Sequence, residues 1–178
     1  MDMEAMYQEV ILDHYRDPHG RGLREPHQAE VLHVNPTCGD EITLRVNLGD
    51  GADPVIEDVS YWSQGCSISQ ASASILFDEV SGKTVSEAFG TLDTFVELMH
   101  SKGQGAADED VLGDLVAFEG VSKFPARVKC ALLSWMALKD AISQARPDLG
   151  VPIDGAPPAG SSDTQQSTQP TTMEGIPR

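Results

Sequence analysis

Basic residues are scarce in this chain, and long apolar runs are missing. Its 178 residues carry 12 Lys and Arg against 28 Asp and Glu, a formal net charge of −16. Such a charge repels nucleic-acid phosphates and anionic membrane surfaces, so no nucleic acid and no membrane is expected as a partner. Basic protein surfaces fit it better. No stretch approaches the roughly 18 apolar residues of a membrane helix. Met1-Asp2-Met3-Glu4 has neither a basic region nor an apolar run, so no signal peptide and a cytoplasmic location are expected. Cysteine is also sparse, with three residues in all. An odd count excludes a fully paired disulfide framework and turns attention to metal or redox chemistry. The paired CxxC spacing of a zinc finger is absent too.

What is present is a helix, then strands, then helices. Met3, Met6, Tyr7, Val10, Ile11, His14 and Tyr15 recur at i, i+3, i+4 spacing, so residues 3–16 read as an amphipathic helix. Residues 30–35 read as a strand. Ile42, Leu44, Val46 and Leu48 alternate with polar residues in a second strand. Residues 55–63 form a third, with Val55, Val59 and Tyr61 expected on one face. Residues 67–80 read as a helix whose run Ser69 to Ser74, apart from Gln70, is small enough for close backbone approach. Thr84-Val85-Ser86-Glu87 is a capping box opening the next helix. A Gly-rich, acidic loop over 101–109 and a short helix around 110–117 follow. Pro125 then opens a last helix to about 145. The fold class expected is α+β: a small antiparallel three-stranded sheet with helices packed on one face. Residues 1–146 form this domain. Residues 147–178, rich in Pro, Gly, Ser, Thr and Gln, read as a disordered tail.

Four side chains carry the chemistry. Cys38 and Asp40 sit in the turn Pro36-Thr37-Cys38-Gly39-Asp40. Cys66 follows Gly65 at a helix start, where the positive end of the helix dipole favours a thiolate. Cys130 lies about a turn inside the last helix. Three thiolates and a carboxylate make a tetrahedral set acceptable to zinc or iron. Oxygen is the harder donor, so Asp40 suits a site that opens better than one kept closed for structure. Arg127, three positions before Cys130, shares its helix face and is a candidate to hydrogen-bond a site thiolate or Asp40. Lys129 reads as solvent-facing and His14 as a packed histidine. His19, His27, His33 and His100 are assigned no site. Tyr15, Trp62 and Trp135 are expected in the core or at its edge.

Three long motifs resemble the signatures of the SufU proteins, within the IscU-like (NifU N-terminal) superfamily of iron–sulfur cluster assembly. They are Asn35 to Asp40, Gly65 to Ser74 and Gly120 to Cys130, supported by Tyr7 to Tyr15. The resemblance covers residues 6 to 145. The scaffolds of that superfamily place a histidine directly before the third cysteine, where this chain has Lys129. Its segment between Cys66 and Cys130 is also longer than theirs. Both features favour the zinc-dependent sulfur-transfer branch. The resemblance implies Zn2+ on Cys38, Asp40, Cys66 and Cys130, with Fe2+ or an iron–sulfur cluster on the same ligands as the scaffold alternative. It implies a SufS-type pyridoxal-phosphate cysteine desulfurase as partner, with downstream cluster assembly proteins beyond it. It also implies Cys38 as sulfur acceptor, freed when the desulfurase lends a histidine in its place. A purely structural zinc module is a third reading. A zinc hydrolase would need a general base, and no His or Glu is placed for one.

Overall fold

The computed structural model describes residues 2–152. Helix α1 (Met3–Arg16) precedes three strands, β1 (Ala29–Asn35), β2 (Asp40–Leu48) and β3 (Ile56–Gln64). They pair antiparallel in the order β1-β2-β3. Helices α2 (Ser67–Val80), α3 (Val85–His100), the four-residue α4 (Glu109–Leu112) and α5 (Pro125–Ala145) follow, with a 3-10 segment, Gly113–Lys123, between the last two. This is the expected α+β architecture.

Strand β2 is central, and its alternation decides which face is covered. Ile42, Leu44, Val46 and Leu48 point inward and are buried. Helices α5 and α2 pack over that face, while Leu32 and Val34 of β1 stay exposed. The small residues of α2 let α5 come close. Ser72 Oγ donates to the Ala131 carbonyl, and Trp135 of α5 is fully buried against Phe95 of α3. The capping box forms as expected, with Thr84 and Glu87 satisfying each other's backbone N–H.

Several local expectations are corrected. A register shift at Asn47/Leu48 places Ile56 inward, so Val55 is exposed. Trp62 points to the outer face, 43% exposed with the Arg21 guanidinium 5.9 Å from its ring, and Tyr15 is also exposed. The short helix ends at Leu112 because Gly113 adopts φ 51°, after which the chain tightens into the 3-10 segment. Beyond α5, Pro147–Leu149 make a 3-10 turn, and Leu149 and Val151 pack against the core. Residues 153–178 of the expected tail lie outside the described residues.

Candidate metal centre

The four candidate ligands come from three places in the fold. Cys38 and Asp40 belong to the β1–β2 hairpin, Cys66 is the N-cap of α2, and Cys130 lies in the second turn of α5. The hairpin opens with Asn35, whose Oδ1 accepts from Thr37 N–H at 3.1 Å, and Gly39 N–H closes onto Asn35 O at 2.8 Å. Gly39 at φ 71° turns the chain so that Cys38 and Asp40 converge.

At the centre the donors crowd together. Cys38 Sγ lies 3.0 Å from Cys130 Sγ and 3.3 Å from Asp40 Oδ2. The donor atoms of Cys38, Asp40 and Cys130 lie within 4.8 Å of one another. Cys66 approaches this trio through Asp40, its Sγ 3.8 Å from Oδ2. Its backbone N–H donates to Asp40 Oδ1 at 2.9 Å. The Cys66 side chain makes no capping bond of its own, which leaves the thiol turned to the centre.

Burial differs sharply among the four. Asp40 and Cys130 are fully buried, Cys66 is half-buried and Cys38 is exposed. A fully buried carboxylate is costly without compensation. Here one oxygen holds the Cys66 amide and the other faces thiols. Gly65 is required beside it: at φ 149° a Cβ would stand 2.3 Å from Asp40 Oδ1. Burial pushes the Cys130 thiol up from its ordinary pKa, helped by hydrogen bonds with Asp40 and Cys38. Such a thiol gives up its proton to a cation. Three sulfurs and one carboxylate oxygen are a donor set that fits zinc or iron, and the trio plus Cys66 can hold one ion.

Two further residues attend the centre. The Arg127 guanidinium is held more firmly protonated, first by the charge of Cys66, then by that of Cys130, and by hydrogen bonds to both. It therefore faces the thiols from α5, as its spacing from Cys130 suggested. Asn35 was not singled out from sequence. Its Nδ2 donates to Cys38 Sγ at 2.9 Å and reaches Cys130 Sγ at 3.8 Å. The available signal was an Asn two residues before a turn threonine, the Asx-turn pattern. Neither His33 nor His100 belongs to the Cys38–Asp40–Cys130 donor group, and His33 pairs with Asp140 at 2.9 Å.

An apolar cleft of about 720 Å³ borders the centre. Its walls are α1 (Met3, Tyr7, Ile11), the first turn of α2 (Ile68) and Phe124 with Arg127. Met3, Met6 and Phe124 are all exposed there or beside it, so the apolar stripe of α1 is only partly covered.

The chain matches the NifU-like N terminal domain over residues 6–131. It is 40% identical over 143 residues to the zinc-dependent sulfurtransferase SufU of Bacillus subtilis (strain 168), covering 80% of this chain and 93% of that protein. It is also 40% identical over 143 residues to the iron–sulfur cluster assembly scaffold protein IscU of Streptococcus pyogenes serotype M1, covering 80% and 86%. Among solved structures, a putative iron–sulfur cluster assembly scaffold protein for the SUF system from Fervidobacterium islandicum AW-1 superposes with a TM-score of 0.61 at 34% identity, over 79% of this chain and 99% of that one. A nitrogen-fixing NifU-like protein (N-terminal) from Brucella abortus gives a TM-score of 0.72 at 26% identity, over 82% and 97%. With the motifs, the fold and these matches in agreement, the chain belongs to the NifU-like N-terminal domain family, whose members include the SufU and IscU proteins of iron–sulfur cluster assembly.

Proposed function

We propose that this chain is a zinc-bound sulfur acceptor that activates a SufS-type cysteine desulfurase and relays persulfide sulfur toward cluster assembly, with Cys38, Asp40, Cys66 and Cys130 as ligands. The observation that carries the reading is the asymmetry of the four donors. Cys38 alone is exposed and on a turn, while Cys130 is anchored in a helix and Asp40 is buried. Bound zinc would keep the thiols deprotonated at neutral pH without redox chemistry of its own.

A turn residue leaves its place at lower cost than a helical one. The Cys38 thiolate then attacks the outer sulfur of the partner's persulfide. A sulfur–sulfur bond forms on Cys38, the bond within the partner's persulfide breaks, and the partner's cysteine leaves as thiolate. Asn35 Nδ2, 2.9 Å from Cys38 Sγ, donates to the sulfur and steadies its negative charge. Arg127 stabilises the thiolates of Cys66 and Cys130 that stay behind. The apolar cleft beside the centre supports a protein partner at this face, because an exposed apolar surface next to reactive thiols suits docking.

The test is mass spectrometry after incubation with desulfurase and cysteine, without reductant. One added sulfur, about 32 Da, should appear on Cys38 in the parent and be absent from Cys38→Ser. Sulfur on Cys66 or Cys130 with Cys38 unmodified would overturn the assignment. The scaffold reading draws support from the IscU of Streptococcus pyogenes, matched at the same 40% identity as SufU. A brown protein after anaerobic reconstitution that passes its cluster to an apo-target would favour that reading instead.

A further inference from the structure

We propose that His14, His19 and Asp78 form a second binding site, for a divalent transition ion of the zinc type, apart from the cysteine centre. Each residue offers one donor atom, and the three atoms lie within 4.8 Å of one another. Ser74, which borders the cluster, lies eight residues along α2 from Cys66, about 12 Å at 1.5 Å per residue. The two sites therefore share no ligand.

Two imidazoles and a carboxylate are ligands that zinc accepts, with water completing the shell. A tetrahedral ion with bonds of about 2.0–2.1 Å spaces its donors roughly 3.3 Å apart. His19 Nδ1 and Asp78 Oδ2 lie 2.6 Å apart and all three donor atoms fall within 4.8 Å of one another, close enough for one ion to draw them to that spacing.

The imidazoles are held in place. His14 is buried, and its Nδ1 hydrogen-bonds Ser74 Oγ at 2.8 Å. Its Nε2 lies 3.2 Å from Asp114, a second carboxylate at the edge of the cluster. The His19 backbone is pinned on both sides: its N–H donates to Ser74 Oγ at 2.8 Å, and its carbonyl accepts from the Tyr61 hydroxyl at 2.8 Å. The two rings meet edge to face with centroids 5.0 Å apart. A surface His–Asp pair alone would need only His19 and Asp78. The buried His14 imidazole of α1 adds the third donor; both its ring nitrogens already have protein partners, Ser74 and Asp114, so the ion takes the place of one of them. The partner that stays on the other ring nitrogen of His14 is how a metal-binding histidine is oriented. Asp78 and Asp114 place two negative charges around the two imidazoles, which a divalent ion neutralises.

The experiment is equilibrium dialysis of the full chain against zinc chloride near pH 7.5, with metal counted per chain. His19 and Asp78 are surface side chains, so their variants keep the fold, which circular dichroism checks. His19→Ala and Asp78→Ala are each expected to bind one zinc fewer than the parent. Zinc titration of the parent is expected to shift the ring signals of His14 and His19 together in NMR spectra. Equal zinc content in parent and variants overturns the proposal. So does a loss confined to one variant, or imidazole signals that zinc leaves unmoved.

Discussion

Gly65 is the backbone position pressed most closely against the cysteine centre. A Cβ there would stand 2.3 Å from Asp40 Oδ1, and φ is 149°, where side chains are rarely tolerated. Gly65→Ala must push Asp40 aside or move the start of α2. Its expected cost is on the order of 2–3 kcal/mol. Thermal unfolding would show the loss, and zinc retention should fall with it. A variant with parental stability and metal content would mean that Asp40 has no fixed position. Cys130 makes a second prediction, for the metal-free protein. Burial raises its folded-state pKa above the unfolded value of about 8.5. The folded state then holds more protons than the unfolded state once pH passes that value. Stability is therefore complete below about pH 8.5 and declines as pH rises above it. Urea midpoints measured from neutral to alkaline pH should fall, and Cys130→Ala should flatten the profile. An equal decline in the variant would assign the effect to another group.

Elements with a full face of evidence in the sequence were legible there. Helix α1, strand β2, helix α2 and the capped α3 each repeat a period over enough residues to fix their kind, and their bounds agree closely with the structure. The short pieces were not legible. The inward face of β3 depends on a register shift opposite Asn47/Leu48, a property of pairing that no strand shows alone. The segment after α4 turns on the positive φ of Gly113, so α-periodicity misreads it. The Cys and Asp members of the centre were legible because turn and cap chemistry marks them. Asn35 was less so, since only the fold brings its amide to Cys130, 95 residues away, as well as to Cys38. The His14–His19–Asp78 cluster was not legible, because only packing brings His19 to Asp78 of α2, 59 residues further along the chain. The partly covered face of α1 has its own consequence. Phe124, 61% exposed at the cleft, is not needed to hold any ligand. Under the proposed function, Phe124→Asp should leave zinc content unchanged but weaken stimulation of the desulfurase about 10- to 30-fold, the usual effect of losing one aromatic anchor. Unchanged stimulation would place the partner on another face.

At the scale of the whole molecule, the question is where the cooperative unit stops. Composition alone drew the line at residue 146, where Pro, Gly, Ser, Thr and Gln begin to dominate. The packing runs further. Arg146 donates to the Gly51 carbonyl at 3.0 Å and pairs with Asp148 at 2.7 Å, so the end of α5 is tied to the β2–β3 turn. Leu149 and Val151 then pack half-buried against the core. Truncation after Arg146 removes both side chains and the Asp148 partner. The ion pair is solvent-exposed and contributes little. The two apolar side chains together should account for about 1–2 kcal/mol. For a domain of this size that is a fall of roughly 3–8 °C in melting temperature. Truncation after Pro152 removes only a segment whose large apolar residues are Ile153, Met173 and Ile176. So little apolar content leaves these 26 residues, 153 to 178, with little to contribute to stability through burial. The melting temperature should therefore hold when the chain ends at 152 and drop when it ends at 146, with zinc content unchanged in both. Equal melting temperatures for the two truncations would return the boundary to 146. A drop already present at 152 would show that the last 26 residues contribute to the fold.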